Sequence, residues 1–295
     1  MSDIKTVAVL GTGIMGGPMA RNIAEAGFDV RVWNRTAEKA RAVAESADSC
    51  EVADGPAAAV AGADAVVTMV LDGDAVQSVM NDAIEAFESD AIWLQMSTVG
   101  IEAGERLAAL AGEHGVSYLD APVLGTKQPA EQGQLIVLAS GADEAIGRAR
   151  PVFDAVGSKI VELGEAGTGT RAKLVLNHWV MGLVENIAET MALGESLSLD
   201  PKLFLETIEG GPLDSGYAQM KGKLVLERDF PPSFPLSGAL KDTRLIIEAA
   251  ERHGFDPALA RTVAAKMAAA VDSGHGDEDM IATWYASAEE RAAAR

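Results

Sequence analysis

Cysteine is nearly missing: Cys50 is the only one in 295 residues. A single thiol excludes an intramolecular disulfide and a thiolate-held zinc cluster, and it suits a reducing compartment. Histidine occurs four times, scattered, with no His-Glu-x-x-His pair, so the sequence makes no case for a metal. Cations are scarce, with 24 Lys and Arg against 44 Asp and Glu, a formal net charge of −20. Such a chain repels nucleic acid and anionic membrane, and an anionic ligand must be held by local positive groups or backbone N–H donors. No apolar run reaches membrane-spanning length and no basic, apolar leader precedes Lys5, so the expectation is a cytoplasmic protein with neither a nucleic-acid nor a membrane partner.

What the chain does have is apolar patterning, with 48% hydrophobic residues and a length that predicts two domains at about 150 residues each. Thr6-Val7-Ala8-Val9-Leu10 reads as a buried parallel strand and runs straight into Gly11-Thr12-Gly13-Ile14-Met15-Gly16. A helical pattern from Ile14 to Ala26 follows, then a second strand at Phe28–Trp33. A bare glycine triplet is weak evidence, but strand, glycines, helix and strand in that order specify a dinucleotide site. Gly11 permits the tight turn, Gly13 lets backbone approach a pyrophosphate and Gly16 allows close helix packing. The phosphates then lie at a helix N-terminus, where free N–H groups and the helix dipole favour negative charge.

The end of the second strand chooses the cofactor. An NAD site places Asp or Glu there for the ribose hydroxyls, whereas this chain has Asn34-Arg35-Thr36. A neutral amide removes the repulsion of a carboxylate, and Arg35 and Thr36 can bind a 2′-phosphate, so NADP (NADPH) is expected. The same residues also fit Thr36 as a helix N-cap beside a solvated Arg35. Alternation continues with strands at Ala65–Val70, Ala91–Met96, Val116–Leu119, Leu135–Ala139 and Lys159–Val161, and helices at 74–87 and 101–114. The prediction is one doubly wound sheet, with ligands beyond the carboxyl ends of the strands. Those ends hold Val70 and Leu71, Ser97 and Thr98, and the stretch Asp120–Pro129 with Leu124, Gly125 and Thr126. That last stretch reads either as a cradle of N–H groups for a small carboxylate or as an ordinary rigid connection.

Past Gly164, Gly167 and Gly169, no proline occurs until Pro201, so one helix of roughly 30 residues, about 45 Å long, is predicted. Leu174, Val175, Leu176, Trp179, Val180, Leu183 and Val184 wrap most of its circumference, which predicts a buried helix. Lys173 and Asn177 stand one above the other on a single face. Either the lysine snorkels to water or the charge has a partner or a task. Helical patterns near 201–208, 214–227, 236–253, 257–271 and 279–286 complete an all-α second domain with broad apolar faces. A homodimer is expected, with a homotetramer of dimers left open. The boundary is drawn as a Rossmann domain at 1–163 and an all-α domain at 164–295.

These pieces together resemble the β-hydroxyacid dehydrogenases, a family that includes 3-hydroxyisobutyrate dehydrogenase. The motifs are Gly11-x-Gly13-x-Met15-Gly16 with Met19-Ala20, Asn34-Arg35-Thr36, Ser97-Thr98-Val99, Asp120-Ala121-Pro122-Val123, Gly167-x-Gly169 with Lys173 and Asn177, and Lys241-Asp242. Lys127-x-Pro129-Ala130-Glu131-x-Gly133-x-Leu135 and Phe230–Leu236 look most like the glyoxylate and succinic semialdehyde reductase branch. The resemblance implies Lys173 as the catalytic residue with Asn177 beside it at the substrate. It implies Thr98, Leu124, Gly125 and Thr126 around substrate and nicotinamide. Phe234 and Asp242 would face the substrate from the other side of the cleft, with Lys241 reaching the cofactor. Gly11, Gly13, Ile14, Met15, Gly16, Asn34, Arg35, Thr36, Val70 and Leu71 complete the cofactor set.

Two departures stand out. Leu124-Gly125-Thr126 replaces the family's Ser-Gly-Gly or Ser-Gly-Ser and removes a hydroxyl donor to a substrate carboxylate, and His178 replaces a second Asn. The expected reaction is reduction of an aldehyde or 2-oxo carbon by NADPH, on a small carbonyl or hydroxy acid, with Lys173 donating the proton. Two rivals remain: imine reduction, which Leu124 favours and Lys173 disfavours, and a redox-silent nucleotide-binding scaffold.

Overall fold

A computed structural model describes residues 4–293, without the side chains of residues 289–293. The chain forms two compact units, one ending at Lys173 and the other starting at Leu174. The division thus falls inside a helix rather than at the glycines that precede it.

In the first unit, β1 (Thr6–Leu10), β2 (Asp29–Trp33), β3 (Cys50–Val52), β4 (Ala65–Thr68), β5 (Ile92–Gln95) and β6 (Ser117–Asp120) form a parallel sheet. Their order is 3-2-1-4-5-6, a doubly wound Rossmann arrangement. Strands of such a sheet are buried on both faces, and β1 shows why its apolar run is continuous. Val7 and Val9 pack into one core with Met19 and Ile23 of α1 (Gly16–Glu25) and Val43 of α2 (Ala37–Ala44). Ala8 and Leu10 face the other core, with Val60 of α3 (Pro56–Val60), Met80 of α4 (Gly73–Ala83) and Leu107 of α5 (Ile101–Glu113).

The single sheet expected from the alternation is corrected in one respect. Residues 123–162 contribute a second sheet of three strands, β7 (Val123–Leu124), β8 (Leu135–Ala139) and β9 (Gly157–Glu162), with β7 antiparallel and β9 parallel to β8. The physical reason is pairing: Pro122 O accepts from Leu138 N–H at 2.9 Å, so the chain leaves the β6 ladder for β8. The two sheets are joined where Asp120 N–H donates to Ser140 O at 3.0 Å and Ser140 N–H donates to Asp120 O at 2.9 Å. The stretch 120–129, expected to be loop, therefore holds β7 and the short α6 (Lys127–Glu131). Between β8 and β9 runs α7 (Asp143–Val156), whose Phe153 and Val156 are fully buried.

Helix α8 (Thr168–Ser196) begins in the first unit and continues in the second. There it is followed by α9 (Lys202–Ile208), α10 (Gly216–Glu227), α11 (Leu236–Arg252), α12 (Ala258–Ala270) and α13 (Trp284–Ala293). The expectation that α8 is buried all round is corrected. Met181, Val184, Ala188 and Met191, spaced three and four apart, enter the core, while Val175 is 71% and Trp179 69% exposed. An apolar composition does not say which apolar face its own chain covers. Among the described residues no helix is long and apolar enough to cross a membrane.

The second unit also contains a buried ion pair. Lys221 and Asp279 are about fully buried, with Nζ 2.6 Å from Oδ1. The other carboxylate oxygen accepts from the Ser233 N–H at 3.0 Å and the Ser233 hydroxyl at 2.6 Å. Asp279 thereby ties down the Pro-rich segment 230–235. Removing one partner of such a pair strands the other charge, so Asp279→Ala is expected to destabilise the protein by about 3–5 kcal/mol in denaturant titration. A loss under about 1 kcal/mol would show that the pair holds nothing together.

Candidate active site

The glycine loop is shaped by two different constraints. Gly11, at φ +106°, closes the turn with its N–H donated to Trp33 O at 2.8 Å. A Cβ there would meet Met69 O at 2.2 Å, and one on Gly16 would meet Gly11 O at 1.9 Å, so both glycines are demanded by the protein's own packing. Gly13 differs. A Cβ on it would have nothing within 4 Å, so nothing in the fold requires a glycine there, which is what a backbone kept bare for a ligand looks like. Met15 lies at the N-cap of α1, and the first N–H groups of a helix have no partner within it. Ile14 is 38% exposed beside them.

Asn34 joins this loop to the end of β2. Its carbonyl accepts from Thr12 N–H at 3.1 Å and its amide donates to Thr36 O at 3.0 Å. Thr36 does occupy the N-cap position of α2, yet its hydroxyl makes no capping bond, and Arg35 and Thr36 are both exposed. Lys39, which the sequence reading left out, lines a surface depression with Gly13 and Ile14, together with Arg21 and Lys127. A dinucleotide fits this donor set: an open glycine, a neutral amide and nearby cations. Further along, Ser97 links two strand ends, its hydroxyl accepting from Val70 N–H at 2.9 Å and lying 3.2 Å from Thr68 O. Thr98 and Val70 are half-buried, and Leu71 is exposed.

Lys173 is 8% exposed, and its ammonium donates to Val123 O at 2.7 Å. The lysine therefore does not snorkel to bulk water. It is drawn to the carbonyl of β7, the strand that carries Leu124. Gly125 follows at φ +127°, and a Cβ there would lie 2.6 Å from Leu135 Cδ2, so this turn tolerates little but glycine. Leu124, half-buried and paired with Ile136 across the ladder, is a strand residue rather than a loop residue.

In the second unit Asn177 is 3% and Asp242 2% exposed, and the Asn177 amide donates to Asp242 Oδ2 at 2.7 Å. The Lys241 ammonium lies 2.8 Å from Oδ1 of the same carboxylate. Asp242 so fixes the amide of Asn177 from one side and neutralises its own charge on the other. Phe234 sits just before α11, its carbonyl accepting from Met280 N–H at 2.9 Å. Its ring needs Gly238, where a Cβ would stand 2.8 Å from Phe234 Cε2.

Comparison with known proteins identifies the family and the fold. Residues 6–164 match the family model of the NAD binding domain of 6-phosphogluconate dehydrogenase, and residues 167–285 match that of the NAD-binding domain of NADP-dependent 3-hydroxyisobutyrate dehydrogenase. The chain belongs to the β-hydroxyacid dehydrogenase family. It is an oxidoreductase with NAD(P)-binding domains, of the class acting on the CH–OH group of donors. Glyoxylate/succinic semialdehyde reductase 2, chloroplastic, of Arabidopsis thaliana is 32% identical, with 95% of this chain and 79% of the relative aligned. The 3-sulfolactaldehyde reductase of Escherichia coli is also 32% identical, over 83% of each chain. Among solved structures, the 3-hydroxyisobutyrate dehydrogenase of Mycobacterium tuberculosis determined with L-serine superposes with a TM-score of 0.85 at 29% identity, covering 96% of this chain and 98% of that one.

The two kinds of glycine in this dehydrogenase separate experimentally. Gly13→Ala is expected to leave thermal stability unchanged while weakening dinucleotide binding by about tenfold or more, whereas Gly16→Ala lowers stability through its clash with Gly11. Undiminished dinucleotide affinity in Gly13→Ala would remove that residue from the site.

Proposed function

We propose that this enzyme is an NADPH-dependent reductase of a small aldehyde or 2-oxo acid, with Lys173 as the proton donor. The observation that carries the reading is the buried ammonium of Lys173, held by the Val123 carbonyl one helical turn before Asn177. When bound, NADPH supplies the hydride. The protein's task is then to receive the developing alkoxide. A charged donor anchored on a backbone carbonyl can pass a proton to the substrate oxygen. General acid catalysis of this kind typically contributes 10²–10⁴-fold. Asn177, its amide held by Asp242, orients the substrate or the amine, and Thr98 and the Leu124–Thr126 turn bound the reacting carbon. Leu124, in place of a hydroxyl residue, adds an apolar wall, which favours a substrate with an apolar flank over a purely polar one.

Gly11, Gly13, Ile14, Met15, Gly16, Val70 and Leu71 hold the dinucleotide in this reading, and Arg35, Thr36 and Lys39 take the 2′-phosphate. The neutral Asn34 and the uncapped Thr36 hydroxyl support NADP over NAD. Lys241 is assigned to the cofactor as well as to Asp242. The exposed Val175, Trp179, Leu193, Leu197 and Leu203 support a homodimer, and a monomer in sedimentation equilibrium would remove that part of the proposal.

One steady-state comparison tests the function. Across glyoxylate, succinic semialdehyde, methylmalonate semialdehyde, tartronate semialdehyde and cyclic imines, NADPH oxidation by the wild type is expected with a carbonyl acid, at a kcat/KM at least about tenfold above that with NADH. Lys173→Met is expected to keep NADPH affinity and lose turnover by at least about 10²-fold. A preference for NADH sinks the phosphate assignment; near-normal turnover of Lys173→Met sinks the proton donor. Greater activity on an imine than on any carbonyl acid would overturn the substrate class.

A further inference from the structure

A second buried charge, which no step above uses, lies at the base of the same helix. Asp120 ends β6 and is 1% exposed. Its Oδ2 accepts from Thr170 N–H at 2.7 Å and its Oδ1 from the Thr170 hydroxyl at 2.7 Å. The Ser140 hydroxyl lies 2.9 Å from Asp120 O and 3.2 Å from Oδ2, and accepts from Gly169 N–H at 2.9 Å. Burial pushes the Asp120 carboxyl above its ordinary range, against the opposing pull of the bonds from Thr170, Ser140 and the Gly167 backbone. A carboxylate kept at such a site holds something in place or takes part in chemistry, and hydride transfer from NADPH to a carbonyl does not call on it.

Its geometry indicates what is held. Gly169 lets the first turn of α8 approach strand ends at backbone distance: a Cβ there would meet Leu138 O at 2.5 Å and Asp120 O at 2.6 Å. Thr170 and Lys173 are three apart and share a helix face. Their partners, the Asp120 carboxylate and the Val123 carbonyl, are likewise three apart on one short segment. The segment 120–123 thus grips α8 at two successive levels. The lower grip is bidentate and rigid. The upper one ends on a flexible four-carbon stem, whose reach depends on where the lower one sets the helix.

We propose that Asp120 and Thr170 are positioning residues, whose paired hydrogen bonds set the rotation and height of α8 so that the Lys173 ammonium meets Val123 O and is presented to the substrate. The inference rests on the reading of Lys173 as proton donor. Thr170→Val keeps the side-chain volume and deletes one donor, and Thr170→Ser keeps the donor. Both are compared with Lys173→Met in the full-length enzyme.

Thr170→Val is expected to lower kcat by about 10- to 100-fold, the scale of a small misplacement of a reacting group, with the Kd for NADPH within about twofold of wild type. Thr170→Ser is expected to restore kcat to within about threefold. Turnover of Thr170→Val within threefold of wild type overturns the inference, as does a loss in Thr170→Ser equal to that in Thr170→Val. Where Lys173→Met itself turns over normally, the proton-donor reading fails instead, whatever Thr170 does. Should Thr170→Val not accumulate folded, Asp120→Asn, which keeps the volume and one acceptor oxygen, is expected to show the same split of kcat from NADPH affinity, and an undiminished kcat there is equally fatal.

Discussion

A buried ammonium bonded to a backbone carbonyl is the constraint on which the rest of this enzyme turns. Lys173 loses most of its hydration on the first turns of α8, and Val123 O at 2.7 Å replaces part of it. Such a bond exists only if β7 is present to offer the carbonyl and α8 starts at the right height. Both conditions trace back to Pro122, whose carbonyl pairs the chain with β8, and to Gly169, which lets helix backbone touch strand backbone. A turn proline and a helix glycine therefore set the position of a charge that neither of them touches.

Polar burial recurs at each point where a functional element must stay put. Asp120 anchors the start of α8, Asp242 holds the amide of Asn177, and Asp279 with Lys221 ties down the segment that carries Phe234. Each carboxylate is close to fully buried and each accepts from a donor on another element. Isolated, any of them would be expensive; satisfied, each specifies a single arrangement of the elements it joins. In a chain of net charge −20 these acids, with Glu185, are the few withdrawn from the surface among the described residues, while Arg21, Lys39 and Lys127 gather beside the glycine loop, where an anion would be welcome.

How much of this the sequence discloses depends on how local the physics is. The strand, glycine turn, helix and strand from Thr6 to Trp33 are legible because periodicity and backbone freedom are read over neighbours, and the ends of β1 match the run of apolar residues that announces it. The two-residue β7 is not legible: between Pro122 and Gly125 it is too short for alternation to register, and its existence depends on pairing with β8 a dozen residues on. The exposed face of α8 was hidden for a different reason, because Val175 and Trp179 have the same composition whether covered or bare. Asn177 and Lys173 announced themselves as polar residues on an apolar helix, yet their partners at Asp242 and Val123 are 65 and 50 residues distant and carry no local mark. The fold was thus largely visible, the candidate site visible as residues, and the bonds that hold it visible only in three dimensions.

The central claim is that the anchored amine gives a proton to the product oxygen, and it is tested most directly by supplying that amine from outside. Lys173→Ala, inactive alone, is expected to regain turnover in a saturable way on addition of methylammonium and to gain nothing from tetramethylammonium, which has the same charge and no N–H to give. Full activity of Lys173→Ala without any added amine, or equal stimulation by both cations, would contradict the account.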